Sequence, residues 1–180
     1  LAAPDPRASV ALMRETGVLA AVLAGADDLS VFDRLVDLDS DALLRLAALT
    51  PDAAGTVAAL RLSNAQRDRL MAAKAEATAP MDARAARRTL YAIGAQTFAD
   101  RAKLALAAGR GGENDWSPLL ALAERWSRPV FPVTGTDAAA AGIAPGPAMG
   151  AALRTLEAWW IDEDFQPSRE AALERLRALA

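Results

Sequence analysis

Apolar residues recur at three- and four-residue spacing over 8–14, 28–38, 40–49, 63–77, 87–108, 116–127, 147–161 and 168–179. That is the period of a helix with one buried face. Alanine, leucine and arginine dominate, and β-branched residues are sparse and scattered, so composition agrees with the period. Breaks fall at Gly17, Gly25, Thr50-Pro51, Pro80, Gly109 to Asn114, Pro129 to Gly135, Gly142 to Pro147 and Pro167. Several starts carry a cap: Asp5-Pro6, Ser40, Ser63 with Gln66 three residues on, and Ser168 after Pro167. The pattern predicts an all-α, multi-helical protein with no sheet. The loop from Gly109 to Asp115 is the best internal boundary, dividing a helical region over 1–110 from a second over 111–180. Tyr91 and Phe98, seven apart, are expected on one buried helix face, and Trp116, Trp126 and Trp160 in the core, with Trp159 the most exposed tryptophan.

The densest local signal is a glycine-proline hairpin, Gly142, Pro145, Gly146, Pro147 and Gly150, that opens into an amphipathic helix. Met149, Ala152, Leu153, Leu156 and Trp160 give that helix its apolar face. Pro147 suits a first helical position, because the N–H it lacks has no partner there. Gly146 is expected at a positive φ and lets the backbone approach whatever the turn faces. Unpaired N–H groups at a helix start favour phosphate, although a bare helix-turn-helix corner has the same sequence.

Composition removes much chemistry. With no histidine and no cysteine, there is no histidine general base, no Ser-His-Asp triad, no thiol nucleophile, no Cys/His zinc site and no disulfide. Asp27-Asp28 and Asp162-Glu163-Asp164 read as solvated helix ends, and no metal ligands are assigned. Uncharged stretches are broken by Gly and Pro, so no membrane span is predicted, and the lack of cysteine suits a cytoplasmic protein.

Charge is unevenly distributed. Residues 1–60 carry four basic and nine acidic side chains, residues 61–110 ten and four, and residues 111–180 six and ten. The middle segment alone is strongly basic, and polyanion contact depends on local Lys/Arg density more than on the overall balance of −3. Candidate RNA-binding residues are therefore Arg61, Arg84, Arg87, Arg88, Arg101, Lys103 and Arg110, with Gly142, Gly146 and Gly150 of the hairpin. If they face RNA, a good share of these cations should share one exposed surface, with the acidic outer segments packed away from it. Charge segregation that merely pairs helices with their neighbours explains the distribution equally well.

Several phrases together resemble the C-terminal helical part of bacterial CCA-adding tRNA nucleotidyltransferases of the poly(A) polymerase-like class. Pro132, Val133, Gly135 and Asp137, then Gly142 through Gly150, then Trp160-Ile161 match that family's most specific phrase in order. Residues 4–26, 60–70 and 87–108 resemble its helical body, so the resemblance spans nearly the whole chain. It implies that 1–110 is body and 111–180 tail, and that the complete enzyme adds C, C and A to tRNA using CTP, ATP and Mg²⁺. Here the portion would hold tRNA by its phosphate backbone without cofactor, while an N-terminal catalytic head and neck performs transfer. That family's Gly-Ser and Asp-x-Asp motif does not occur; Asp37-Leu38-Asp39 follows no glycine-rich loop and reads as a helix start. No Glu-Asp-x-x-Arg motif occurs either, so no catalytic residue is assigned. The start at Leu1, without methionine, fits a piece of a longer protein. CCA addition and poly(A) addition both remain open on these residues. Two other classes remain: a free-standing helical protein-interaction module, and a helix-hairpin-helix-like element binding nucleic-acid backbone.

Overall fold

The computed structural model describes residues 1–76 and 78–179 and contains twelve helices and no strand among them. They are α1 (Arg7–Glu15), α2 (Val18–Val22), α3 (Ser30–Leu38), α4 (Ala42–Leu49), α5 (Ala53–Leu60) and α6 (Asn64–Lys74). There follow α7 (Ala83–Ile93), α8 (Ala95–Ala107), α9 (Glu113–Glu124), α10 (Gly135–Ala140), α11 (Pro147–Asp162) and α12 (Arg169–Arg177). The all-α expectation holds. The chain forms two compact units, one of Leu1–Asp82 with Ile93–Trp126, the other of Ala83–Ala92 with Ser127–Ala180. The Gly109–Asp115 loop lies within the first, between α8 and α9.

Local chemistry explains where elements depart from the apolar pattern. The expected 87–108 helix is two helices, because Gly94 takes φ +80°, a conformation that side chains resist. Tyr91 and Phe98 are both buried as expected, but on different helices, and the shared face does not exist. α5 escaped the period reading because its alanine-rich sequence carries little polar contrast; the Asp52 carboxylate starts it by accepting from Ala54 and Gly55 N–H. α10 is similarly short and begins with Thr134, whose N–H and hydroxyl both donate to Asp137. The cap of α4 is Asp41, not Ser40: the Asp41 carboxylate accepts from Leu44 N–H at 2.8 Å, while Asp39 accepts from Asp41 N–H at 2.7 Å. A carboxylate makes the stronger bond to a backbone donor. The Ser63–Gln66 capping box and the Ser168 cap form as read.

In the first unit, Val10, Leu19, Leu23, Leu29, Phe32, Leu46 and Leu49 form one core cluster, and Leu35, Leu44 and Ala107 another. Arg45 is 1 % exposed and makes no ion pair among the described residues. Its guanidinium instead donates to the carbonyls of Leu1, Ala3, Pro4, Val36 and Asp39, which satisfies a buried cation with backbone dipoles. α8 packs against α3, α6 and α9 and also touches α4. Its Asp100, 2 % exposed, receives the Arg69 guanidinium of α6 through two bonds of 2.8 and 3.0 Å, and the Gln96 amide at 2.9 Å. Arg69 also reaches Asp41 at 2.8 Å, so one side chain joins α6, α8 and the start of α4.

The second unit is built on Val133, Ala138, Ile143, Leu156, Ala172 and Leu176. Tyr91, Phe131, Trp160 and Phe165 stack edge-on or tilted beside it, with ring centroids 5.1–6.1 Å apart. Leu156 and Trp160 of α11 are buried, and Met149, Ala152 and Leu153 pack partly buried against the same core, as their spacing predicts. Trp116 is fully buried and Trp126 only partly. Trp159 is half-buried under the Arg175 guanidinium, 4.6 Å from its ring.

Removing the buried carboxylate should be costly. Asp100→Ala is expected to lower unfolding free energy by about 3 kcal/mol, because it strips Arg69 of its main partner in a partly desolvated site. Urea denaturation of variant and parent measures it; a loss below about 0.5 kcal/mol would show that the network contributes little.

Candidate functional site

The hairpin forms as the sequence requires. Pro147 is the first residue of α11, and Gly146, at its N-cap, has φ 141° and ψ −164°. Only glycine enters that region readily. A Cβ on Gly146 would meet nothing within 4 Å, so its backbone conformation, and no close approach within the chain, demands glycine. Gly142 also has a positive φ, and Gly150 donates to the Gly146 carbonyl inside α11 with the Arg154 guanidinium alongside. Asp137, in the phrase before the hairpin, is tied to Arg169 of α12 at 2.5 Å and accepts from Thr134. First Arg169 and then the Thr134 N–H and hydroxyl hold its carboxyl down at about 2. It is a clamp within the second unit.

The basic residues of α7 are also occupied there. Arg87 makes two bonds to the Asp164 carboxylate, Arg88 bonds Asp162, and Arg84 donates to the Asp162 carbonyl. Asp164 is held below the ordinary carboxylate range, chiefly by Arg87. Asp164 and Phe165 both take left-handed φ values, and their backbone N–H groups bond carbonyls of the last turn of α11. Arg87 thus fixes a strained turn that also delivers the Phe165 ring to Tyr91 and Trp160. Lys103, in the first unit, is paired with Asp39 at 2.6 Å. The expectation that the acidic outer segments pack away from these cations is corrected: Asp39, Asp162 and Asp164, all from those segments, neutralise them. The basic excess of the middle segment counts residues by position in sequence, whereas counter-ions are recruited by position in space.

Among the described residues, two cations without an ion pair, Lys74 and Arg110, lie together at one cleft. In the first unit a cleft of about 200 Å³ opens beside α4, α6 and α8. Small apolar residues, among them Ala47, Ala48, Ala73 and Ala105, share its walls with the polar groups Lys74, Glu76, Thr78, Arg101 and Arg110. Arg101, 11 % exposed, is oriented by an Nε–H bond to the Ala72 carbonyl at 2.8 Å and reaches the exposed Glu76 at 3.5 Å. Lys74 and Arg110 have no side-chain acceptor among the described residues. Burial, and secondarily the Arg110 charge, pulls the Lys74 ammonium below its usual pKa. Arg110 springs from a fixed backbone: its N–H donates to the Ala105 carbonyl, and its own carbonyl accepts the buried Trp116 indole N–H at 2.6 Å.

Of the sequence-derived candidates, Arg101 and Arg110 therefore meet in one cleft, and Arg84, Arg87 and Arg88 cluster in the other unit. Lys103 is paired elsewhere, and Arg61 stands exposed at the C-cap of α5 with φ 49°. Lys74 was not singled out from sequence. Its one available signal is its place in the last turn of α6, which suits a cation and looks purely structural. Among the described residues no group of three His, Cys, Asp or Glu side chains is arranged to hold a metal, and no helix is long and apolar enough to cross a membrane. No family model, curated protein or solved structure matches the chain.

Gly146→Val should destabilise the second unit by about 1–3 kcal/mol through backbone strain alone. Thermal unfolding of the variant checks this, and an unchanged midpoint would mean that the hairpin relaxes without cost.

Proposed function

We propose that this chain grips RNA through its phosphate backbone, as the tRNA-holding helical portion of a CCA-adding or poly(A) polymerase-like nucleotidyltransferase. The observation that supports this most is the positive charge left unpaired in the first unit. Among the described residues Arg61, Lys74 and Arg110 have no ion pair, and Arg101 has a long one at 3.5 Å. Unpaired cations are the groups that exchange condensed counter-ions for protein contacts on a polyanion. The hairpin whose residues resemble the family phrase, with Gly146 at a positive φ and Pro147 opening α11, supports the tRNA assignment. In this reading nucleotide transfer with CTP, ATP and Mg²⁺ belongs to a head and neck outside this chain. This portion contributes shape and charge, the means by which RNA duplexes are mainly held.

A second reading, a protein-interaction module, is favoured by Leu12, Val18 and Val22, which leave apolar surface exposed on α1 and α2. Filter binding of a tRNA minihelix over a salt series separates the two. Log K should fall with log salt, by about 0.9 for each phosphate contacted. Duplex DNA should compete poorly. Absence of binding, or binding indifferent to salt, would reject the RNA reading.

A further inference from the structure

We propose that the cleft beside α4, α6 and α8 is a receptor for one phosphate group, with Lys74, Arg101 and Arg110 as its ligands; the proposal that this phosphate comes from RNA rests on the reading above. Three cations line it against one lining carboxylate, Glu76, which is 82 % exposed and pairs with Arg101 at 3.5 Å. Like charges facing one another beside apolar alanine walls disfavour the empty cleft, and the same walls strengthen attraction to an entering anion. Arg101 has one N–H on Ala72 and one directed loosely at Glu76. A guanidinium has five donors, so others remain for an acceptor with several oxygens. Lys74 adds a mobile ammonium with three donors, and Arg110 a second planar fork. The cleft volume of about 200 Å³ holds several water molecules at about 30 Å³ each, enough for a phosphate group with part of its hydration.

The division of labour follows from how each cation is held. Arg101 is the fixed element, oriented by Ala72. Trp116 and Ala105 anchor the backbone of Arg110, whose side chain is exposed. Lys74 closes the site from the last turn of α6. Because Lys74 and Arg110 repel each other when nothing lies between them, they are ligands kept at a cost to the empty fold.

Isothermal titration of the chain with inorganic phosphate, with chloride at matched ionic strength as control, tests the proposal. Phosphate should bind the parent and raise its Tm, and chloride should not. Lys74→Gln and Arg110→Gln together should weaken phosphate at least tenfold and tRNA minihelix several-fold, while the phosphate-free variant melts no lower than the parent. Glu76→Gln should strengthen phosphate, an effect that a merely structural glutamate would not give. Phosphate binding without any tRNA binding would keep the receptor and reject RNA as its source. Tight tRNA binding that is unchanged in the double variant, with no phosphate heat in the parent, would overturn the receptor and leave the RNA reading intact. A double variant that melts well below the parent would show that Lys74 and Arg110 support the fold, and would also overturn it.

Discussion

The Arg69 guanidinium, held between Asp100 and Asp41, sets the geometry on which the first unit's chemistry depends. A carboxylate as buried as Asp100 cannot stay charged without a partner. Arg69 supplies it from α6, and Gln96 supplies a further donor from its own helix. Because Arg69 also takes Asp41, whose other oxygen caps α4, the spacing of α4, α6 and α8 is fixed by one side chain. Those three helices carry most of the cleft lining. Burying a charged pair adds little net stability compared with apolar packing; its effect here is to fix which faces of the helices look into the cleft.

Both units hold paired cations and cations with no ion pair among the described residues. In the second, Arg87, Arg88 and Arg169 are each answered by a carboxylate, and these pairs pin a strained turn and a helix start. In the first, pairing is complete at Arg69 and Lys103 and lapses at Lys74 and Arg110. The same residue types thus read alike in the chain and differ in what they leave available to a ligand.

Fold class was legible because helical period, composition and caps such as Ser63–Gln66 agree with one another. Boundaries failed where a single backbone or acceptor decides. Gly94 splits a continuous apolar stripe, and Asp52 starts a helix whose alanines show no contrast. Asp41 displaces Ser40 because a carboxylate outcompetes a hydroxyl. The site was only half legible. Arg101 and Arg110 stood out by segment charge, but so did Arg84, Arg87 and Arg88, whose partners lie more than seventy residues away. No local rule reports such pairing. Lys74 was hidden for the converse reason: what distinguishes it is that no side-chain acceptor meets it among the described residues.

The central claim is that unpaired charge at the cleft, and not the paired arginines of α7, meets the RNA backbone. Hydrogen–deuterium exchange of the chain with and without tRNA tests it most directly. The account predicts slowed exchange at the C-terminal turn of α6 and in the loop from Ala108 to Gly112, with α7 little changed. Protection confined to α7 and the Asp162–Phe165 turn, or to α1 and α2, would contradict it.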